Sequence, residues 1–253
     1  MKMNKNLGIL LVIILVISSP ILTCYADGLI FSDGFETGDV LSWDEQYYGS
    51  VTTTAYQGDY GFYSNRSTSV VTKFIDDVEI VHMRWYVMFN SFPQPNIYAS
   101  IGGIQDVPYT SDFAFVGIYR DGVGVIQWYC HVSGSQVAYS ETPPLNEWIC
   151  LEFRYDVVHG IHKVWRNGEL IITVNQASVP LAGKLVIGIW NGAWVDDIQV
   201  FSDCVVASDS YIGVIPTDTA TKGFVFGSSI LVIFIAAPIG IILFALVMKK
   251  RRR

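Results

Sequence analysis

The sequence predicts an all-β folded region built as a two-sheet antiparallel sandwich, followed by one C-terminal transmembrane helix. Three observations carry that expectation. Residues 148–175 read W-I-C-L-E-F-R-Y-D and then V-V-H-G-I-H-K-V-W-R-N-G-E-L-I-I-T-V-N. Apolar Ile149, Leu151, Phe153 and Tyr155 alternate with Cys150, Glu152, Arg154 and Asp156, the period of a sheet that buries one face. His159-Gly160 and Asn167-Gly168 punctuate the run; Asn-Gly between such segments signals a hairpin, because a type I′ turn requires positive φ at both central residues. No window of residues 27–201 shows apolar residues at helical spacing over helical length, whereas residues 224–248 contain no charge at all.

In chain order, residues 1–26 have the form of a secretory signal, with Lys2 and Lys5, an apolar run, and Cys24-Tyr25-Ala26 before the expected cut after Ala26. Cys24 leaves a lipoprotein reading open. Residues 29–43, L-I-F-S-D-G-F-E-T-G-D-V-L-S-W, open the domain. Runs rich in β-branched and aromatic residues follow at 51–55, 61–64, 69–75, 79–90, 98–104, 112–120, 124–131 and 136–139, bounded by turn residues, with Asp121-Gly122 marking a tight hairpin. After the three strands of 148–175, residues 183–190 and 193–201 add two more, joined through Asn191-Gly192. Residues 27–201 therefore make one domain of about a dozen strands around a single core. Residues 202–223, polar and rich in Ser and Thr with Pro216, read as a stalk. As a helix, residues 224–248 would span ~37 Å at about 1.5 Å per residue, enough to cross a hydrocarbon core. The basic tail 249–253 follows at once, so the positive-inside rule places it in the cytoplasm and the N-terminal domain outside a cell membrane crossed once. This ending also resembles a surface-sorting signal, without the Leu-Pro-x-Thr-Gly motif.

Charge and cysteines narrow the partners. Residues 27–222 hold all 23 acidic residues and nine of the 16 basic ones, a net charge of about −14. Such a domain repels phosphate backbones and excludes nucleic acid as a partner. Export leaves Cys130, Cys150 and Cys204. A Cys130–Cys150 disulfide between sequence-adjacent strands is the expected pair, provided the two side chains face each other. Asn65-Arg66-Ser67 is a formal glycosylation sequon.

The opening F-S-D-G-F-E-T-G-D-V-L-S-W, the central W-I-C-L-E-F-R-Y-D with its N-G-E-L hairpin, and the closing W-V-D-D-I-Q-V at residues 194–200 together resemble the concanavalin A-like lectin/glucanase superfamily. The laminin-G-like branch is nearest, and the opening and closing pieces are also similar to calcium-containing carbohydrate-binding jelly rolls. The resemblance implies a jelly-roll sandwich that binds glycans or protein ligands, with calcium in some members and glycosidase or lyase activity in others. It further implies a structural calcium ion held by acids of the opening and closing strands, here Asp33, Glu36 and Asp197, with Asp196 beside them. Calcium takes about six to eight oxygens, and the same acids equally suit turn shaping and backbone hydrogen bonding.

Alternation nominates the ligand residues. Val81, Met83, Trp85, Val87 and Phe89 share one face of their strand, leaving His82, Arg84, Tyr86 and Asn90 on the other. Gln127, Tyr129 and His131 alternate likewise with Ile126, Trp128 and Cys130. If these strands share a sheet with 149–156, one face carries Arg84, Tyr86, Gln127, Tyr129, Glu152 and Arg154. Planar rings suit the C–H surfaces of sugars, and paired donors and acceptors suit their hydroxyls; a solvated sheet with ordinary cross-strand ion pairs has the same pattern. Glycoside hydrolysis requires two carboxylates about 5 to 9.5 Å apart, and the Glu-x-Asp-x-x-Glu strand of the glucanases is absent. The expectation is a non-catalytic cell-surface binding module for extracellular carbohydrate. A surface-protein adhesion domain, or a divergent polysaccharide lyase or glycoside hydrolase, is the alternative.

Overall fold

The computed structural model describes residues 28–107, 113–190 and 197–214. The expected signal, the distal stalk, the 224–248 span, the basic tail, Asp196 and the Asn191-Gly192 turn lie outside the described residues. Among the described residues, no helix is long and apolar enough to cross a membrane.

Fifteen strands form among the described residues: β1 (Leu29–Asp33), β2 (Glu45–Tyr47), β3 (Ser50–Thr52), β4 (Gly61–Ser64), β5 (Ser69–Val78), β6 (Ile80–Ser91), β7 (Ile97–Gln105), β8 (Phe113–Arg120), β9 (Ile126–Val132), β10 (Ser135–Tyr139), β11 (Ile149–Asp156), β12 (Ile161–Arg166), β13 (Glu169–Asn175), β14 (Ala182–Trp190) and β15 (Gln199–Ser208). The first sheet runs β13-β12-β11-β6-β15-β4-β3, with β1 also paired to β15; the second runs β10-β9-β8-β7-β14-β5-β2. The all-β jelly-roll sandwich expected from the sequence is thus the fold, and the 148–175 meander forms one margin of the first sheet as β11, β12 and β13. Asn167 and Gly168 have φ of 50° and 83°, the two positive values that make Asn-Gly the natural hairpin pair. At 121–125 the left-handed residue is Gly124, φ 94°, and Asp121 Oδ1 accepts the Val123 and Val125 amides to close the turn.

The core lies between the sheets. Val81, Met83, Trp85, Val87 and Phe89 of β6 and Ile149, Leu151, Phe153 and Tyr155 of β11 face Ile101, Val116, Ile118, Trp128, Leu185 and Ile187 of the second sheet. The Trp85 indole crosses the gap to Gly102 of β7, where an added Cβ would lie 2.8 Å from Trp85 Cζ2. A register shift between Ser100 and Gly102 marks a bulge there, so glycine and bulge together open the socket for the largest inward side chain.

Two expectations are corrected. The last strand, expected at 193–201, begins at Gln199 and runs to Ser208, so 202–208 is sheet rather than stalk. Asp203 disguises it, since a carboxylate in a strand interior reads as a turn; it is tolerated because it accepts the backbone amides of Tyr56, Gln57 and Cys204. The Cys130–Cys150 disulfide does not form: Cys130 is a core residue of β9 in the second sheet, Cys150 sits on the outer face of β11 in the first, and all three described cysteines are free and buried. These two strands, with β10 between them in the chain, belong to different sheets, beyond the reach of a bridge. Burial pushes the Cys130 and Cys204 thiols well up and Cys150 up to about 11.

A chain lacking residues 1–26 should therefore react with a thiol reagent at none of these cysteines when folded and at all three in urea without reductant; fewer than three in urea would reveal a bridge. Trp85→Ala should lower stability by about 3–5 kcal/mol through the cavity it leaves. Trp85→Phe should cost less because its ring leaves a smaller cavity while it too removes an indole N–H that has no partner; equilibrium denaturation measures both.

Candidate functional site

The six nominated ligand residues do not share a surface. Arg84 and Tyr86 on β6 pair with Glu152 and Cys150 on β11 in the first sheet, while Gln127 and Tyr129 lie on β9 in the second. The alternation was right within each strand, so each group faces outward, on opposite sides of the sandwich.

On the first sheet the polar face is covered. The Tyr56 ring stacks on Tyr86 with centroids 3.6 Å apart. Its loop is held down by two carboxylates: Asp203 accepts the Tyr56 and Gln57 amides at 2.8 and 3.0 Å, and Glu36 accepts those of Asp59 and Tyr60 at 2.9 and 3.3 Å. Beside it, residues 209–214, expected as stalk, cross Glu152 and Arg84. Ile212 N–H donates to Glu152 Oε1 and Gly213 N–H to Oε2, at 3.0 and 2.8 Å; Arg84 Nη1 donates to the Gly213 carbonyl at 3.2 Å. His82 Nδ1 lies 2.8 Å from Glu152 Oε1. Arg154 pairs with Asp156 rather than with Glu152. Arg84, Tyr86 and Glu152 are consequently closed to a sugar.

Two of the expected calcium ligands, Asp33 and Asp197, are placed apart. Asp33 pairs with Val205 on β15, whereas Asp197 precedes Gln199 at the far end of that strand, about 20 Å away at roughly 3.3 Å per residue. Asp33 accepts Phe35 N–H, Ser42 Oγ–H and Trp43 Nε1–H. Asp197 accepts Gln94 through Oδ2 and Ser91 through its carbonyl. Among the described residues, no group of three or more His, Cys, Asp and Glu side chains could hold an ion. Asp33 thus joins one backbone amide to two side-chain donors, and the Asp197 carboxylate holds the Gln94 side chain.

The second sheet presents a different outer face, a lattice of three rows. Tyr98, Tyr119 and Gln127 stand side by side across β7, β8 and β9; Ser100, Gly117 and Tyr129 form the next row; Gly103, Phe115 and His131 form the third. The glycines let rings lie flat. A Cβ on Gly117 would meet Tyr129 Cε1 at 2.8 Å, and one on Gly103 would meet Phe115 Cδ1 at 2.3 Å. Tyr129 reaches across β8 so that its hydroxyl meets Ser100 Oγ at 2.6 Å, and burial pushes its phenol well up. It serves as floor, and its ring edge supports Tyr98 at 5.2 Å. Above that floor Tyr98 stacks on Tyr119, centroids 4.1 Å apart and planes 20° from parallel, with Tyr98 39% exposed. Trp190, opposite Ser100 on β14, stacks on Phe115. Burial lowers the His131 pKa, which favours the neutral ring with one donor and one acceptor.

Tyr98 and Tyr119 were not nominated from the sequence. Both fall in expected strands, but the Ser100/Gly102 bulge reverses the alternation halfway along β7, so no single parity reads its outer face.

No family model matches the sequence, and no curated protein matches it. Among solved structures the chain is similar to a cellulose induced protein, Cip1 (TM-score 0.56, 16% identity, 73% of this chain and 100% of that one). It is also similar to the receptor binding domain of botulinum neurotoxin type G (0.53, 11%, 74% and 49%) and to a sialidase (0.50, 9%, 73% and 19%). The chain thus spans all of the first, about half of the second and a fifth of the third, and the likeness is one of fold.

The carboxylate under the Tyr56 loop should leave a pH signature. Burial pushes Asp203 up to about 6 from 3.8, against three amide donors that favour its charge. The folded chain then holds this proton more tightly than the unfolded chain, so the contribution is full below pH 3.8 and lost as pH rises through about 6. Asp203→Asn should flatten that segment of the urea-midpoint profile; an unchanged slope would assign the proton elsewhere.

Proposed function

We propose that this protein is a non-catalytic carbohydrate-binding module displayed outside the cell, held by a single membrane-spanning helix at 224–248, and that the outer face of the second sheet takes the sugar. The observation that carries this reading is the stack of exposed Tyr98 on half-buried Tyr119, seated on a buried aromatic floor. An isolated exposed tyrosine is ordinary; two stacked rings fixed by Tyr129, with Gln127 beside them and His131 further along, offer a rigid apolar platform next to directional hydrogen-bonding groups. Sugars match that combination, because their C–H faces pack on rings and their hydroxyls require both donors and acceptors.

An ion-paired acid on this face supports a non-catalytic role. Glu45 is bound by Lys184 Nζ at 2.7 Å and by the Thr72 hydroxyl at 2.8 Å. The lysine holds its carboxyl below the usual range, which does not suit the proton donor that glycoside hydrolysis requires. Two of the similar solved structures support a carbohydrate ligand by their names, one a cellulose induced protein and one a sialidase. The charge-free run 224–248 with its basic tail supports the anchor, and a glycan outside the cell is the partner in this reading.

Tyr98→Ala and Tyr119→Ala should each weaken glycan-array binding about tenfold, near the upper end of what one ring contributes beyond its area. Arg84→Ala, on the opposite sheet, should leave binding unchanged. No binding to any glycan by the folded wild-type domain would overturn the reading.

A further inference from the structure

The outer face of the first sheet holds an arrangement that carbohydrate binding leaves unused. Glu152 and Arg84 stand directly opposite each other on β11 and β6, at 2% and 5% exposure. Opposite charges in that position ordinarily pair with each other, and burial makes an incompletely partnered charge costly. Here no ion pair joins them. Each grips one end of the same residue: Glu152 Oε2 accepts the Gly213 N–H at 2.8 Å, and Arg84 Nη1 donates to the Gly213 carbonyl at 3.2 Å. Glu152 Oε1 takes the preceding amide, that of Ile212, and Arg84 Nε is buried without a partner. A pair serving only to stabilise the sheet would close on itself; this one is spaced by a peptide group.

The segment it grips belongs to no strand and is lightly anchored. Tyr211 and Val214 are exposed, and Ile212 and Gly213 are half-buried. Besides the three main-chain hydrogen bonds, Tyr211 lays its ring near Trp165 and His82, at 5.3 and 6.1 Å between centroids, and Val214 borders Gly168 of the β12–β13 turn. Gly213 has φ +76°, a conformation that glycine adopts at no steric cost and a β-branched residue does not. The contacts therefore select a peptide by its backbone, by an aromatic side chain, and by a glycine two positions later.

We infer that the Glu152–Arg84 pair is a peptide-recognition site for an aromatic-X-Gly segment, and that residues 211–214 are its resident ligand, bound in cis and exchangeable. The inference is independent of the sugar face, since it rests on the opposite sheet.

The test uses the full chain in detergent micelles and a fluorescent blocked hexapeptide of sequence Asp-Ser-Tyr-Ile-Gly-Val, copied from residues 209–214. Gly213→Val should unseat the resident segment and let the hexapeptide bind saturably, at least about tenfold more tightly than it binds wild type. Adding Glu152→Gln to that variant should remove the binding. In wild type, hydrogen exchange should show the Ile212 and Gly213 amides opening locally, ahead of the β11 amides. A folded Gly213→Val chain that ignores the peptide, a Gly213→Val chain that does not fold, or strap amides that exchange only together with β11 would each overturn the inference, the last two by making the segment an integral part of the fold.

Discussion

Irregular chain laid over a sheet carries backbone N–H groups that no ladder can satisfy, and a buried amide without a partner is costly. Carboxylates answer that constraint throughout this protein. Asp203 holds the Tyr56, Gln57 and Cys204 amides, and Glu36 those of Asp59 and Tyr60. Glu152 holds Ile212 and Gly213, Asp44 holds Phe74, and Asp121 holds Val123 and Val125. The strong acid excess of residues 27–222 thus has a structural use before any functional one: acids pin two covering segments to the first sheet. One of them, Glu36, read as a calcium ligand in the sequence.

The two outer faces follow from how each sheet treats that problem. On the first, buried polar side chains of β6 and β11 find partners in chain laid over them, so a face that alternation marks as solvated becomes a second interior. On the second, Gly103 and Gly117 lower the floor and let Phe115 and Tyr129 lie flat, leaving Tyr98 and Tyr119 standing above it. One face recognises main chain through opposite charges, while the other offers rings with neutral polar neighbours. The proposed peptide and sugar sites are therefore separable by substitution, because they share no residue.

Much of the architecture was legible because its determinants are local. Residues 149–156 and 80–89 bury the side chains that their alternation assigned, and Asn167-Gly168 turns as its φ values require. Where legibility failed, the deciding partner was distant in sequence. Asp203 is tolerated inside β15 by Tyr56 and Gln57, which supply its hydrogen bonds from about 147 residues earlier. Cys130 and Cys150 looked like a pair because they stand on strands close in sequence. The stalk assignment missed 202–208 for the first reason, and it missed 211–214 because a Ser-Tyr-Ile-Gly run carries no local mark of what it will rest against.

By itself the sequence determined the class of fold, the strands of the core and the hairpin at 167–168, since period and turn chemistry are properties of neighbouring residues. The tertiary structure decided which strands share a sheet, and with that which nominated residues meet. Arg84 and Glu152 came together with Gly213, Tyr129 was laid beneath Tyr98, and the two groups were turned to opposite sides. Sheet membership depends on contacts among strands far apart in the chain, and alternation within one strand is blind to them.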